Sequence, residues 1–239
     1  MALIKHAFAL TAGLLALNAQ AAASYIPALY NFSVMYDFNP VRGPVKTLTA
    51  SVKSEAENYT IKVALSPEGC IDEFTRSDVN HYGNAALTRQ GNTLAGTLNN
   101  SPVKYVFDEQ CNIVSMTDQF GTKTFQTNRA GLIEQTTANG QKLSVYRYTD
   151  GDSFAGSQYY LNDKVVSYSD VTYADVKNKP LDFKMTTTFG EEYTVNGDSA
   201  CVYDARKVPV EWTIVTKKIH DNQVVEETHY SARMAVTYY

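Results

Sequence analysis

A short motif returns along this chain and constrains its fold more than any other feature. It runs apolar or Thr, small polar, two free positions, usually Gly or Cys, one free position, then usually apolar. The copies read Leu65-Ser66-Pro67-Glu68-Gly69-Cys70-Ile71, Phe107-Asp108-Glu109-Gln110-Cys111-Asn112-Ile113, Thr127-Asn128-Arg129-Ala130-Gly131-Leu132-Ile133 and Tyr148-Thr149-Asp150-Gly151-Asp152-Ser153-Phe154. Weaker copies begin at Leu87 and Tyr203. The starts at 65, 87, 107, 127 and 148 lie 20 to 22 residues apart. A period of ~20 residues with a turn inside each copy is the pattern of stacked hairpins. The fold class is therefore all-β, an antiparallel β-meander of hairpin repeats that forms an open curved sheet or a partly closed barrel.

Alternation of period two supports this reading. Phe32, Val34, Tyr36 and Phe38 share one face, as do Tyr59, Ile61, Val63 and Leu65. Leu181, Phe183, Met185 and Phe189 repeat the pattern, followed by Val210, Trp212 and Ile214, then Tyr230, Ala232, Met234, Val236 and Tyr238. Such strands have one covered and one wet face. Turn signals at Gly83-Asn84, Asn99-Asn100, Gly121, Asn139-Gly140, Asn162-Asp163, Asn196-Gly197 and Asp221-Asn222 divide about fifteen strands. No helix of three turns is expected after the leader; Asp170 to Val176 is the best helical or irregular insertion.

The leader itself is legible. Met1 to Lys5 is a basic start, Ala7 to Leu17 an apolar stretch, and Ala19-Gln20-Ala21 a small-x-small cleavage site. Residues 1–21 are read as a cleaved signal peptide, with Ala22 and Ala23 as alternative cleavage points, and 22–239 as one β-repeat domain. The stretch is short of the ~20 apolar residues a spanning helix needs. Export to the periplasm follows. Without Lys5 the chain carries 20 basic against 25 acidic residues, and no basic stripe invites nucleic acid.

Three cysteines remain after export, Cys70, Cys111 and Cys201. An oxidising compartment favours pairing. Cys70 and Cys111 both lie inside the motif, one position apart in its register, so they are read as a disulfide and Cys201 as a free thiol. The alternative is three reduced thiols.

Tyr36-Asp37-Phe38-Asn39-Pro40-Val41-Arg42-Gly43-Pro44-Val45-Lys46, with Leu65-Ser66-Pro67-Glu68-Gly69-Cys70, Cys201-Val202-Tyr203-Asp204 and Tyr238-Tyr239, resembles the YnfC family of enterobacterial lipoproteins. The landmarks occur in the family's order along the mature chain. More loosely, the strand-turn units are similar to Tyr-Asp repeats of β-meander proteins. The resemblance implies an envelope address and no particular activity. Two departures matter. The family carries a lipobox cysteine where this chain has Asn18-Ala19-Gln20-Ala21, which implies a free periplasmic protein here. The family also has a cysteine where this chain has Trp212, so the family partner of Cys201 is missing.

Catalytic chemistry is thinly represented. Gly151-Asp152-Ser153-Phe154 matches a Gly-Asp-Ser esterase block, and Glu226-Glu227-Thr228-His229 offers an acid and a base. A periplasmic serine hydrolase using Ser153 and His229 is the alternative reading. The same residues are also what a turn demands. Asp150 and Asp152 lack the glutamate that closes a calcium loop. His81, His220 and His229 have no metal-ligand spacing with the cysteines, so neither a metal nor a cofactor is expected. Arg42 and Lys46 are candidates to grip an anion, or solvated turn cations. The leading reading is a non-enzymatic, exported β-repeat module that binds an envelope component, protein or glycan. An outer-membrane barrel is set aside because the inferred strands are shorter than the ~9–11 residues needed to span and the final alternation is out of step with Tyr239.

Overall fold

In the computed structural model, residues 24–79 and 83–239 are described; the leader expected over 1–21 and His81 lie outside them. The described residues form sixteen antiparallel strands and one helix. The first strands are β1 (Val45–Lys53), β2 (Asn58–Leu65), β3 (Ile71–Asp78), β4 (Ala85–Gln90), β5 (Thr93–Leu98), β6 (Ser101–Phe107), β7 (Ile113–Asp118) and β8 (Gly121–Thr127). Then come β9 (Ile133–Ala138), β10 (Gln141–Tyr148), β11 (Phe154–Leu161), β12 (Lys164–Tyr173), β13 (Phe183–Phe189), β14 (Tyr193–Tyr203), β15 (Pro209–His220) and β16 (Gln223–Tyr238). Each pairs with its neighbours in sequence, and β16 also pairs with β1, with Leu48 opposite Val236 and Ala50 opposite Met234. The meander is a closed barrel.

The repeated motif is one loop used five times at the same end of the barrel. In Ser66–Cys70, Asp108–Asn112, Asn128–Leu132, Thr149–Ser153 and Asp204–Val208, the first residue's N–H donates to the fifth residue's carbonyl at 2.8–3.0 Å. The fourth residue's N–H donates back to the first carbonyl at 2.9–3.1 Å. The small polar side chain at the first position accepts the fifth N–H, as Asn128 Oδ1 does from Leu132 at 3.0 Å and Asp204 Oδ1 from Val208 at 2.9 Å. The fourth residue must adopt positive φ: Gly69 (88°), Cys111 (63°), Gly131 (76°), Asp152 (60°) and Lys207 (62°). The copy expected at Leu87 is different. There β4 continues to Gln90, and the turn is shortened to Gly91 and Asn92.

At the opposite end the hairpins are tight. Asn99-Asn100, Asn139-Gly140, Asn162-Asp163 and Asp221-Asn222 all have positive φ at both positions, the geometry of type I′ turns. Asn196-Gly197, read as a turn, lies instead inside β14, where Gly197 faces Met185 across the β13–β14 pair.

The segment Phe32 to Phe38, read as a strand, is helical as far as Tyr36. α1 spans Pro27–Tyr36 and starts on a proline, which suits a first turn that needs no N–H there. It stands inside the barrel with Ala28, Leu29, Tyr30, Asn31, Phe32, Ser33 and Tyr36 all buried. A helix covered on every side has no polar face, so its 3.6-residue period is absent from the sequence. A wall of sixteen strands encloses more than its own side chains can fill, and α1 supplies the missing volume. Phe32 packs on Phe74 at 5.2 Å and Tyr105 at 5.1 Å between ring centroids, and Tyr36 Oη lies 2.8 Å from Tyr105 Oη. Asn31 fixes the plug to the β8–β9 loop: its Nδ2 donates to Gly131 O at 2.9 Å, and its Oδ1 accepts from Ile133 N at 3.0 Å. The helix stops at Asp37 (φ 57°), and the chain returns to the loop end, where Gly43 N donates to Ser24 O.

The outer wall carries paired charges and hydroxyls. Cross-strand ion pairs join Lys184 to Asp198 (3.5 Å), Lys217 to Glu227 (3.2 Å) and Arg233 to Glu211 (3.1 Å). Threonine pairs such as Thr124–Thr137 and Thr117–Thr122 hydrogen-bond between them. Cys70 and Cys111, on the β2–β3 and β6–β7 loops, are joined with their Cα atoms 5.1 Å apart.

Candidate functional site

The plug rises from the loop end of the lumen and ends at Asp37, whose carbonyl accepts from Tyr59 near the start of β2. Ten helical residues reach about 15 Å, whereas an eleven-residue strand such as β14 extends roughly 35 Å along its own axis. Two observations locate open space above the plug. Asp37, surrounded by the wall, is exposed to solvent. Tyr159 shares its face with Ser144 and Ser167, its cross-strand partners, which are 3% and 7% exposed, yet Tyr159 is 42% exposed. The serines lie low on the inner wall, while the tyrosine stands into the lumen.

Around that space the groups are coupled. Tyr59 Oη donates to the Asp37 carbonyl at 2.9 Å, and the Arg76 guanidinium lies over the Tyr59 ring at 4.1 Å. Arg76 also approaches Asp78 at 4.0 Å, with its Nε buried and unpartnered. Burial raises the phenols of Tyr59, Tyr159 and Tyr230, and the Asp37 carboxylate raises each further, so the four groups share one field. Burial likewise lifts the Asp37 carboxyl above its usual range, while Arg76 pulls it down. Solvent access and desolvation coexist here because the wall confines the water that reaches the group. No side chain among the described residues hydrogen-bonds the Asp37 carboxylate.

A carboxyl that holds its proton more tightly in the folded state favours folding below its unfolded pKa. That advantage is lost as pH rises through the raised folded value. Asp37→Asn keeps the shape and tolerates the left-handed backbone. Thermal melts of the variant should therefore exceed wild type at pH 7, with the gap closing as pH falls toward ~4, the ordinary Asp range. A gap that persists unchanged at low pH would assign the effect to the backbone instead.

The residues singled out from the sequence lie elsewhere. Ser153 is buried in the β10–β11 loop with its Oγ unpartnered. His229 is on the outer face of β16, 2.9 Å from Glu227. The hydrolase pair is thus corrected: a serine sealed at the base of the wall and a histidine in outside solvent, five strands apart, cannot exchange a proton. Asp150 and Asp152 belong to the repeated loop. Arg42 stacks over Tyr25 at 4.5 Å and Lys46 over Tyr239 at 5.6 Å, which accounts for both cations. Cys201 is a free thiol on the inner face opposite Trp212; burial pushes it up to about 11, and Asp182 adds to the rise. At pH 8 its thiolate fraction is on the order of a hundredfold below that of a free cysteine. Asp37, Arg76 and Tyr159 were not foreseen. Only the Tyr36-Asp37-Phe38 block carried a signal, as an Asp placed to cap a helix that alternation disguised.

Taken together, these features define a closed meander barrel, plugged from within and carrying cross-strand ion pairs on the outside of β13 to β16. The chain belongs to the uncharacterised protein family UPF0257, whose profile matches residues 4–239. It is 26% identical over 220 residues to the UPF0257 lipoprotein YnfC of Escherichia coli K12, covering 90% of each chain, and equally to that of Shigella flexneri. Among solved structures it is similar to a porin-like protein from Bacteroides uniformis, at 9% identity and a TM-score of 0.45, covering 82% of this chain and 98% of that one. No described helix is long and apolar enough to cross a membrane.

Proposed function

We infer that this is an exported, non-enzymatic binding module of the bacterial envelope whose ligand enters the lumen through the tight-turn end. The carrying observation is that α1 stops at Asp37 beneath exposed inner-wall groups. The mature domain, residues 22–239, works in the periplasm after cleavage of the leader, where a Cys70–Cys111 bond is stable. Its wall stands in water. A lipid-facing barrel needs an apolar band about 25 Å tall, and the outer faces of β13 to β16 carry paired Lys, Arg, Asp and Glu instead. A closed sheet also leaves no long edge for a partner strand, so the lumen rather than an open sheet face is the binding surface.

Thiol labelling tests this. In a Cys201→Ser background, Tyr159→Cys should react with a small maleimide as fast as a surface thiol, whereas Ser157→Cys, 3% exposed in the parent serine, should stay unreacted until the protein is denatured. A Tyr159→Cys that stays unlabelled in the folded protein removes the open lumen and this reading with it.

A further inference from the structure

We propose that the lumen above α1 is a binding site for a neutral sugar ring, stacked on Tyr159 and hydrogen-bonded by Asp37; this rests on the lumenal reading of function.

A sugar offers a flat face of C–H groups and an edge of hydroxyls, so its site needs a free aromatic ring beside a strong acceptor. Tyr159 offers the ring: it is 42% exposed on the inner wall and touches Tyr146 only edge-on, with centroids 6.3 Å apart. Asp37 offers the acceptor: it is exposed to lumenal water, and no side chain among the described residues hydrogen-bonds its carboxylate. An ionised carboxylate accepts from two hydroxyls at once, and such charge-assisted bonds are the strong ones.

Charged ligands fit less well. The cation–π positions near the mouth are already filled, Tyr59 by Arg76 at 4.1 Å and Tyr193 by Lys218 at 4.3 Å. A cationic ligand beside Asp37 therefore meets Arg76, whose charge is already felt by that carboxylate. An anionic ligand meets Asp37 itself, together with Glu57 and Glu226, whose charges reach Tyr230 from the same space. A neutral, hydroxyl-rich ring meets neither repulsion.

The test uses calorimetric titration of the full mature chain with maltotetraose, cellotetraose and tetra-N-acetylchitotetraose. Tetragalacturonate and the chitosan tetramer serve as anionic and cationic counterparts. At least one neutral tetramer should bind, weakening at least tenfold in Tyr159→Ala and by no more than a few-fold in Tyr159→Phe, which keeps the ring. Tyr168→Ala, which removes an exposed tyrosine of the outer wall, should leave binding unchanged. Binding only of a charged tetramer, binding lost in Tyr168→Ala but kept in Tyr159→Ala, or no binding by any of the five overturns the proposal. If Tyr159→Cys labels rapidly while every neutral sugar fails, the ligand class falls and the open lumen stands. If Tyr159→Cys does not label, both fall together.

Discussion

Phe32→Ala should cost about 3–5 kcal/mol of folding stability, the range for truncating a fully buried phenylalanine. Phe32 has no exposed surface and touches four rings: Phe74, Tyr105, Tyr36 and Phe107. Those rings come from both the plug and the wall, so the space left behind cannot collapse without moving one against the other. Urea unfolding followed by tyrosine fluorescence measures it. A loss below ~1 kcal/mol, a typical surface value, would mean the helix is a passenger in the lumen and not its core. The conservative Phe32→Leu, which refills most of the volume, should recover the larger part of the loss.

The double variant Cys70→Ser, Cys111→Ser should lose about 4 kcal/mol by the chain-entropy argument, given the 41-residue separation of the two cysteines. Peptide mapping without reductant comes first: a Cys70–Cys111 cross-linked peptide is expected, with Cys201 alkylated only after unfolding. A cross-link to Cys201, or unchanged urea unfolding of the variant, contradicts the assignment. The bond ties the β2–β3 loop to the β6–β7 loop across β3 to β6, the part of the wall against which Phe32 packs. The two variants should therefore interact when combined, deviating from additivity in a double-mutant cycle.

The meander was legible in the sequence because each loop at one end must solve the same backbone problem. A small polar side chain closes the turn and a residue with positive φ reverses it, so Ser66, Asp108, Asn128, Thr149 and Asp204 recur at matching positions. Local rules write local signals. The helix escaped because Phe32, Val34, Tyr36 and Phe38 alternate by coincidence, while Leu29, Asn31 and Ser33, the residues that betray a fully enclosed helix, look unremarkable singly. Asn196-Gly197 carried a turn's chemistry into the middle of β14, where pairing with Lys217 and Thr216 on β15 overrides it. Closure was out of reach for another reason: it depends on a pairing between the first and sixteenth strands that no local pattern encodes. The lumenal groups follow from closure, since Asp37, Tyr59 and Tyr159 face a shared interior only once the wall is complete.

Thr47 and Thr237 hydrogen-bond across 190 residues of sequence, and that span shapes how the molecule must come into being. A strand made early waits for nearly the entire polypeptide before its second neighbour arrives. Throughout that interval the nascent sheet exposes two unsatisfied margins, each competent to join a neighbouring molecule. Lesions in the last strand would thus lower the yield of assembled protein through misjoined chains, well before they weaken those copies that succeed in shutting the ring.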